Sequence, residues 1–264
     1  KVCRIFSIFS SGLLLTLCLI CTNVEANESI RVPILAYHNF DPTATGSMTI
    51  STKTFETQLQ WLADNGYTVI PLQDLVSYLH GKKSSLPEKS VVITADDGRK
   101  SVYDYMLPLV KKYNIPVTLF VYPMIISKVN YAMTWEQLKE LQATGLFDIQ
   151  GHTYWHPNFK QEKKRLSEKE YEKLVKVQLV NSKQVINEKL ATNVTLLAWP
   201  FGIYNEYLEQ AASNAGYEMA FSIDALAADK SHRSMSQPRY MIVEGQTMKT
   251  FAAIASGKPF GKRL

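Results

Sequence analysis

The chain has 264 residues, 46% of them hydrophobic and 20% charged, with a formal net charge of +5. That length suits one large globular domain, and no repeat, low-complexity tract or interdomain linker interrupts it. The positive charge is scattered. The densest basic run, Lys163-Lys164-Arg165, is soon followed by Glu168 and Glu170, which is the pattern of a solvated face more than of a nucleic-acid patch.

Residues 1–26 stand apart. Lys1 and Arg4 precede an uncharged apolar stretch, and Val24-Glu25-Ala26 puts small residues at the two positions read by a signal peptidase, so the segment reads as a secretory signal. An uncleaved membrane anchor is the alternative, and only in that form would the protein touch a membrane. All three cysteines, Cys3, Cys18 and Cys21, lie in this segment. The expected mature domain, 27–264, therefore has no disulfides, and any metal it holds must sit on imidazole and carboxylate.

From there, strand-like and helix-like segments alternate. Strands are expected at 32–37, 68–70, 91–94, 117–121, 147–150, 195–198, 218–222 and 240–243. Several are continuous apolar runs, as in parallel strands covered on both faces. Helices are expected at 51–65, 72–79, 101–113, 134–143, 167–190 and 205–214. Thr134-Trp135-Glu136-Gln137 and Ser167-Glu168-Lys169-Glu170 have the form of capping boxes, and Gly66, Gly81, Gly145 and Gly216 mark helix ends. Repeated βα units imply a parallel sheet, here a single-domain α/β fold, a distorted (β/α) barrel of about seven units. Such barrels carry their active sites at the carboxyl ends of the strands. His38, Asp96, Asp97, His152 and Pro200 all fall just past expected strand ends.

Two runs concentrate the chemistry. Adjacent Asp96 and Asp97 end one strand, so their side chains diverge, and one is free to bind a metal while the other handles a proton. His152 and His156 follow another strand at a spacing of four, which one helical turn would bring onto a single face. Two His and one carboxylate, with positions left for water, is the composition of a hydrolytic zinc site.

These residues also resemble a known family. Thr94-Ala95-Asp96-Asp97-Gly98 is similar to the T-F-D-D-G motif of the polysaccharide deacetylases, the NodB-homology group. His152-Thr153-Tyr154-Trp155-His156 matches their H-[ST]-x-x-H motif, and Trp199-Pro200-Phe201-Gly202 resembles the tail of R-x-P-Y-G. The resemblance spans roughly residues 31–243 and makes 27–264 a polysaccharide deacetylase domain. It implies an exported hydrolase that removes N-acetyl groups from an N-acetylglucosamine polysaccharide. Asp97, His152 and His156 would hold a divalent metal, zinc before cobalt or nickel, and Asp96 would be the general base. Pro200, Phe201, Gly202, Trp199 and Tyr154 would line the substrate and oxyanion region, with a backbone N–H near Phe201 as an oxyanion donor.

The chain departs from the family pattern in three places. The late L-x-H motif that supplies the acid is missing. His38, in Leu35-Ala36-Tyr37-His38, resembles the early His of the branch that deacetylates poly-N-acetylglucosamine, and His232 is the alternative acid. The motif arginine that orients the catalytic carboxylate is Ala198, for which Arg239 is the expected substitute. The motif Phe is Ala95, which would make the pocket floor smaller. Expected partners are the polysaccharide alone, with no nucleic acid and no obligate protein. The rival readings are a peptidoglycan or chitooligosaccharide deacetylase, a non-catalytic glycan-binding protein on the same fold, and an N-deacylase of small amides.

Overall fold

The computed structural model describes residues 30–44 and 46–257. The signal-peptide reading of residues 1–26 lies outside them. The elements run β1 (Ile34–Tyr37), β2 (Asn39–Asp41), β3 (Thr49–Ser51), α1 (Thr52–Asp64), β4 (Thr68–Val69), α2 (Leu72–Leu79), β5 (Ser90–Asp96), a π turn (Val102–Met106), α3 (Leu107–Tyr113), β6 (Val117–Val121), α4 (Trp135–Ala143) and β7 (Phe147–Gly151). There follow α5 (Phe159–Arg165), α6 (Glu168–Lys176), a second π turn (Val177–Asn181), α7 (Ser182–Leu190), β8 (Leu196–Ala198), α8 (Glu206–Asn214), β9 (Met219–Phe221), β10 (Tyr240–Met241) and α9 (Met248–Ala255).

The main sheet is parallel throughout, in the order β10-β1-β5-β6-β7-β8-β9, with β4 paired to β5. It curls into the distorted, open barrel expected from the βα alternation. Strand periodicity divides the core in two. Ile34, Val92, Phe120, Leu196, Met219 and Phe221 form an inner cluster, which Leu72, Leu75 and Val76 of α2 plug from below. Their strand neighbours Leu35, Val91, Ile93, Leu119, Ile149, Leu197 and Ala220 pack outward against the surrounding helices. Ala95 belongs to this outer set. It borders the helix layer and not the pocket floor, which corrects the expectation placed on it.

All eight expected strands form, with ends shifted by a few residues. Both expected capping boxes are present, Thr134 with Gln137 and Ser167 with Glu170. The expected helices at 101–113 and 167–190 each contain a π turn. Four elements were not anticipated: the short parallel pair of β2 and β3, and helices α5 and α9.

Candidate active site

The upper ends of β1, β5 and β7 and the loop after β8 meet at one place. Asp96 is the last residue of β5 and shares the inward parity of Val92 and Thr94, so it enters the barrel mouth and is only 2% exposed. Asp97 follows with φ +75° and Gly98 with φ +70°. Two consecutive left-handed residues break the strand alternation and turn the Asp97 carboxylate away from that of Asp96. A side chain at position 98 would put its Cβ 2.9 Å from Ile126 Cδ1, which together with the positive φ explains the glycine.

Asp96 is gripped from below by Arg239. The guanidinium donates from Nη1 to Oδ1 at 2.8 Å and from Nη2 to Oδ2 at 2.7 Å. Its remaining donors reach Thr94 Oγ1 at 3.1 Å and the Ser222 carbonyl at 3.0 Å, and its face lies 5.2 Å from the Phe120 ring. Arg239 is fully buried, so this is a paired and hydrogen-bonded buried charge, the condition under which one is tolerated. The topology makes the reach short, because Arg239 precedes β10, which is separated from β5 only by β1. Burial alone would raise the Asp96 carboxyl; the charge and hydrogen bonds of Arg239 outweigh it and hold the group well below the usual carboxylate range.

His152 and His156 come together, but not on a helical turn. Residues 152–158 are an irregular loop in which Thr153 (φ +64°) and His156 (φ +63°) are left-handed. The second π turn holds that loop. Gln178 Oε1 accepts from the amides of Tyr154 and Trp155 at 3.1 and 3.0 Å, and Ser182 Oγ donates to the Thr153 carbonyl at 2.9 Å. The two imidazoles end with centroids 4.6 Å apart, and their Nε2 atoms lie 3.7 and 3.8 Å from Asp97 Oδ1. Sequence reasoning missed Gln178 and Ser182, because a loop clamp from a distant helix has no local motif.

The Asp97, His152 and His156 donor set fits a divalent metal. One ligand atom from each lies within 4.8 Å of the other two. Tetrahedral geometry at the usual zinc–ligand lengths calls for ligand separations of roughly 3.3–3.4 Å, so closure needs only small movements. His152 Nδ1 lies 2.8 Å from the Ala198 carbonyl, an oxygen that only accepts. The proton therefore sits on Nδ1 and leaves the Nε2 lone pair facing Asp97, a common outer arrangement for a ligating histidine. Burial and the neighbouring His152 push the His156 imidazole down to about 4, so it is neutral near pH 7.

His38 follows β1 and is 15% exposed, with Nε2 4.0 Å from Asp96 Oδ2. Its Nδ1 is buried and has no hydrogen-bond partner among the described residues. His232 instead pairs with Asp229 at 2.9 Å within a polar turn, and makes no ion pair with Asp96 or Asp97.

The third motif divides. Trp199 and Pro200 are buried, and the Trp199 indole donates to the Met235 carbonyl while its ring abuts Phe159. Trp199 is a core residue in this fold, as are its fellow aromatics Tyr37 and Phe40. Phe201 is 57% exposed with φ +56°, and its ring lies 4.6 Å from that of His156. Gly202 allows this turn, since a Cβ there would approach Ile223 Cγ1 to 2.4 Å. Tyr154 lines an apolar groove of about 400 Å³ beside the site, with Met124, Trp155, Leu174 and Val177.

A family model described as polysaccharide deacetylase matches residues 83–220, which contain Asp96, Asp97, His152, His156 and the Pro200 turn. The chain belongs to the polysaccharide deacetylase family. It is 26% identical over 197 residues to a poly-beta-1,6-N-acetyl-D-glucosamine N-deacetylase of Staphylococcus aureus, covering 73% of this chain and 67% of that one. It also resembles two solved structures. One is the Streptococcus pyogenes deacetylase PplD in complex with acetate, with a TM-score of 0.76, 25% identity, and coverage of 86% of this chain and 99% of that one. The other is IcaB from Ammonifex degensii, with a TM-score of 0.72, 26% identity, and coverage of 86% and 97%. Membership in this deacetylase family makes the chain a polysaccharide deacetylase, and the Asp97, His152 and His156 cluster is its candidate metal centre.

Proposed function

We propose that the protein is an exported, metal-dependent hydrolase that removes N-acetyl groups from an N-acetylglucosamine polysaccharide, poly-β-1,6-N-acetyl-D-glucosamine first among them. The observation that carries this reading is the meeting of the Asp97, His152 and His156 ligand atoms beside an Asp96 locked by a buried arginine. The Staphylococcus aureus relative, named for that polysaccharide, supports the substrate. The signal-like segment at 1–26 supports export. Among the described residues no helix is long and apolar enough to cross a membrane.

Asp97, His152 and His156 would hold the ion. When bound, such an ion polarises the amide carbonyl and makes a water nucleophilic near neutral pH. Asp96, kept ionised by Arg239, accepts the proton of the attacking water. A backbone N–H at the Phe201 turn donates to the oxyanion as the carbonyl carbon becomes tetrahedral. His38 Nε2 delivers a proton to the amine nitrogen as the C–N bond breaks, and acetate and a free amine leave. The exposed rings of Trp155 and Phe201 flank the cleft and suit the C–H faces of sugar rings.

Acetate release from a panel of acetylated glycans, with and without chelator and added metal, tests the assignment. Release from long β-1,6-linked chains that a chelator abolishes is the expected result. Activity confined to peptidoglycan, chitooligosaccharides or monomers would overturn the substrate, and chelator-resistant release would overturn the metal dependence. His152→Ala should fold normally yet lose both bound metal and turnover. Full metal occupancy in that variant would refute the ligand set.

A further inference from the structure

Arg99 lies beside the candidate metal centre and has no part in the chemistry above. Its Nε is 3.5 Å from Asp97 Oδ2, the oxygen that does not face the imidazoles; Oδ1 is the one close to His152 and His156. That Nε is shielded from solvent and has no hydrogen-bond partner among the described residues, and Asp97 is its only ion-pair contact there. The arginine is itself held. Its guanidinium carbon lies 5.1 Å from the centre of the Tyr131 ring, and its backbone forms an antiparallel bridge with Ala132. The flanking amides tie the same two segments, Lys100 N–H to the Tyr131 carbonyl at 2.8 Å and Met133 N–H to the Gly98 carbonyl at 3.0 Å. The two adjacent carboxylates are thus each provided with an arginine. Asp96 has both oxygens engaged by Arg239, whereas Asp97 has one oxygen facing Arg99 and the other facing the histidines.

We infer that Arg99, braced by Tyr131, is a positioning residue that fixes Asp97 as a one-oxygen ligand and so sets the metal affinity of the site. This rests on the metal reading proposed above. Asp97 is on a left-handed backbone at a strand end and 14% exposed, and among the described residues Arg99 is the only ion-pair contact of its Oδ2, the oxygen turned away from the imidazoles. Polar partners of metal-ligating groups are typically worth 10–100-fold in affinity.

The test is metal titration of chelator-stripped protein, zinc against a competing chromophoric chelator and cobalt by its visible spectrum. In Arg99→Met, affinity should fall by about 10–100-fold and the cobalt spectrum should change. Turnover should recover toward wild type at saturating metal, since Arg99 touches neither the base nor the acid. Tyr131→Ala should weaken binding less. The double variant should bind no more weakly than Arg99→Met, because Tyr131 acts through the arginine. Arg99→Met with wild-type affinity and spectrum overturns the inference and leaves the metal reading intact. A changed KM at unchanged metal affinity also overturns it, by assigning Arg99 to the substrate. Wild-type protein that binds neither ion would instead overturn the metal reading itself, and this inference with it.

Discussion

Replacing Arg239 with Met should strongly destabilise the fold. It leaves the Asp96 charge buried and unpaired, a defect that typically costs about 3–5 kcal/mol. The pH dependence gives the effect a signature. In the wild type, Arg239 holds the Asp96 carboxyl below its ordinary value of 3.8, so the pair stabilises the fold above that pH and the contribution is lost as pH falls toward the lower folded-state value. In Arg239→Met only burial is left, and burial raises the group. The carboxylate then destabilises the fold at neutral pH, and protonation relieves it. The stability gap between the two proteins should be widest at pH 7 and narrow on acidification, as read by denaturant melts. Turnover should show the same change, because the base must be ionised. The acid limb of the pH–rate profile should move upward from below 3.8 to above it. Asp96→Asn, which cannot take a proton from water, should bind metal and turn over nothing. An Arg239→Met protein with wild-type stability and an unmoved acid limb would show that Arg239 is not what keeps the base ionised.

His38→Ala should bind metal normally and lose on the order of 10²–10⁴ in kcat, the usual worth of a positioned acid or base. His232→Ala should stay near wild type, since its imidazole is engaged with Asp229. Burial lowers the His38 pKa below the ordinary 6.5, and the opposing pull of Asp96 and Asp97 does not restore it. The acid must be protonated to serve the leaving amine. Activity should therefore decline as pH rises through a limb on the acid side of 6.5, and that limb should vanish in His38→Ala. A limb that persists in His38→Ala and disappears in His232→Ala would transfer the role to the later histidine.

The parts of this molecule legible in its sequence are those written in local periodicity. Apolar runs bounded by glycine and polar turns located every strand of the main sheet, and two capping boxes marked the helix starts at Thr134 and Ser167. α9 went unseen although Thr247 caps it and Phe251, Ile254 and Ala255 form its buried stripe. Its alanine-rich run lacks the contrast that makes a helical face stand out. α5 is seven residues long, and too many of them are charged to show a periodic face. At the site, the spacing of His152 and His156 correctly brought the rings together for the wrong reason. A helical turn and a loop with two left-handed residues both close that gap, and only long-range contacts to Gln178 and Ser182 decide between them. Arg239 could be named because Ala198 leaves the family's carboxylate-orienting position empty, yet its four hydrogen bonds depend on β10 lying next to β1. Arg99 has no such prior, since its role comes from a tyrosine on the following loop.

The π turn between α6 and α7 has a consequence for how this site tolerates insertions and deletions. A π turn is an α-helix carrying one surplus residue, a costly arrangement often found at functional positions. Here the π turn carries Gln178, and Ser182 follows it directly; spaced four apart, the two grip the same loop from one side of the rod. Deleting Val180, whose side chain is 38% exposed, would allow an unbroken α-helix to form and would shorten the spacing between Gln178 and Ser182 from four residues to three. The shortened helix should be locally better formed by circular dichroism, while the histidine loop loses its hold and metal binding weakens. Selection for thermal stability alone would favour that deletion, and selection for turnover would purge it. The π turn thus ties the local regularity of the α6–α7 rod to the hold on the histidine loop.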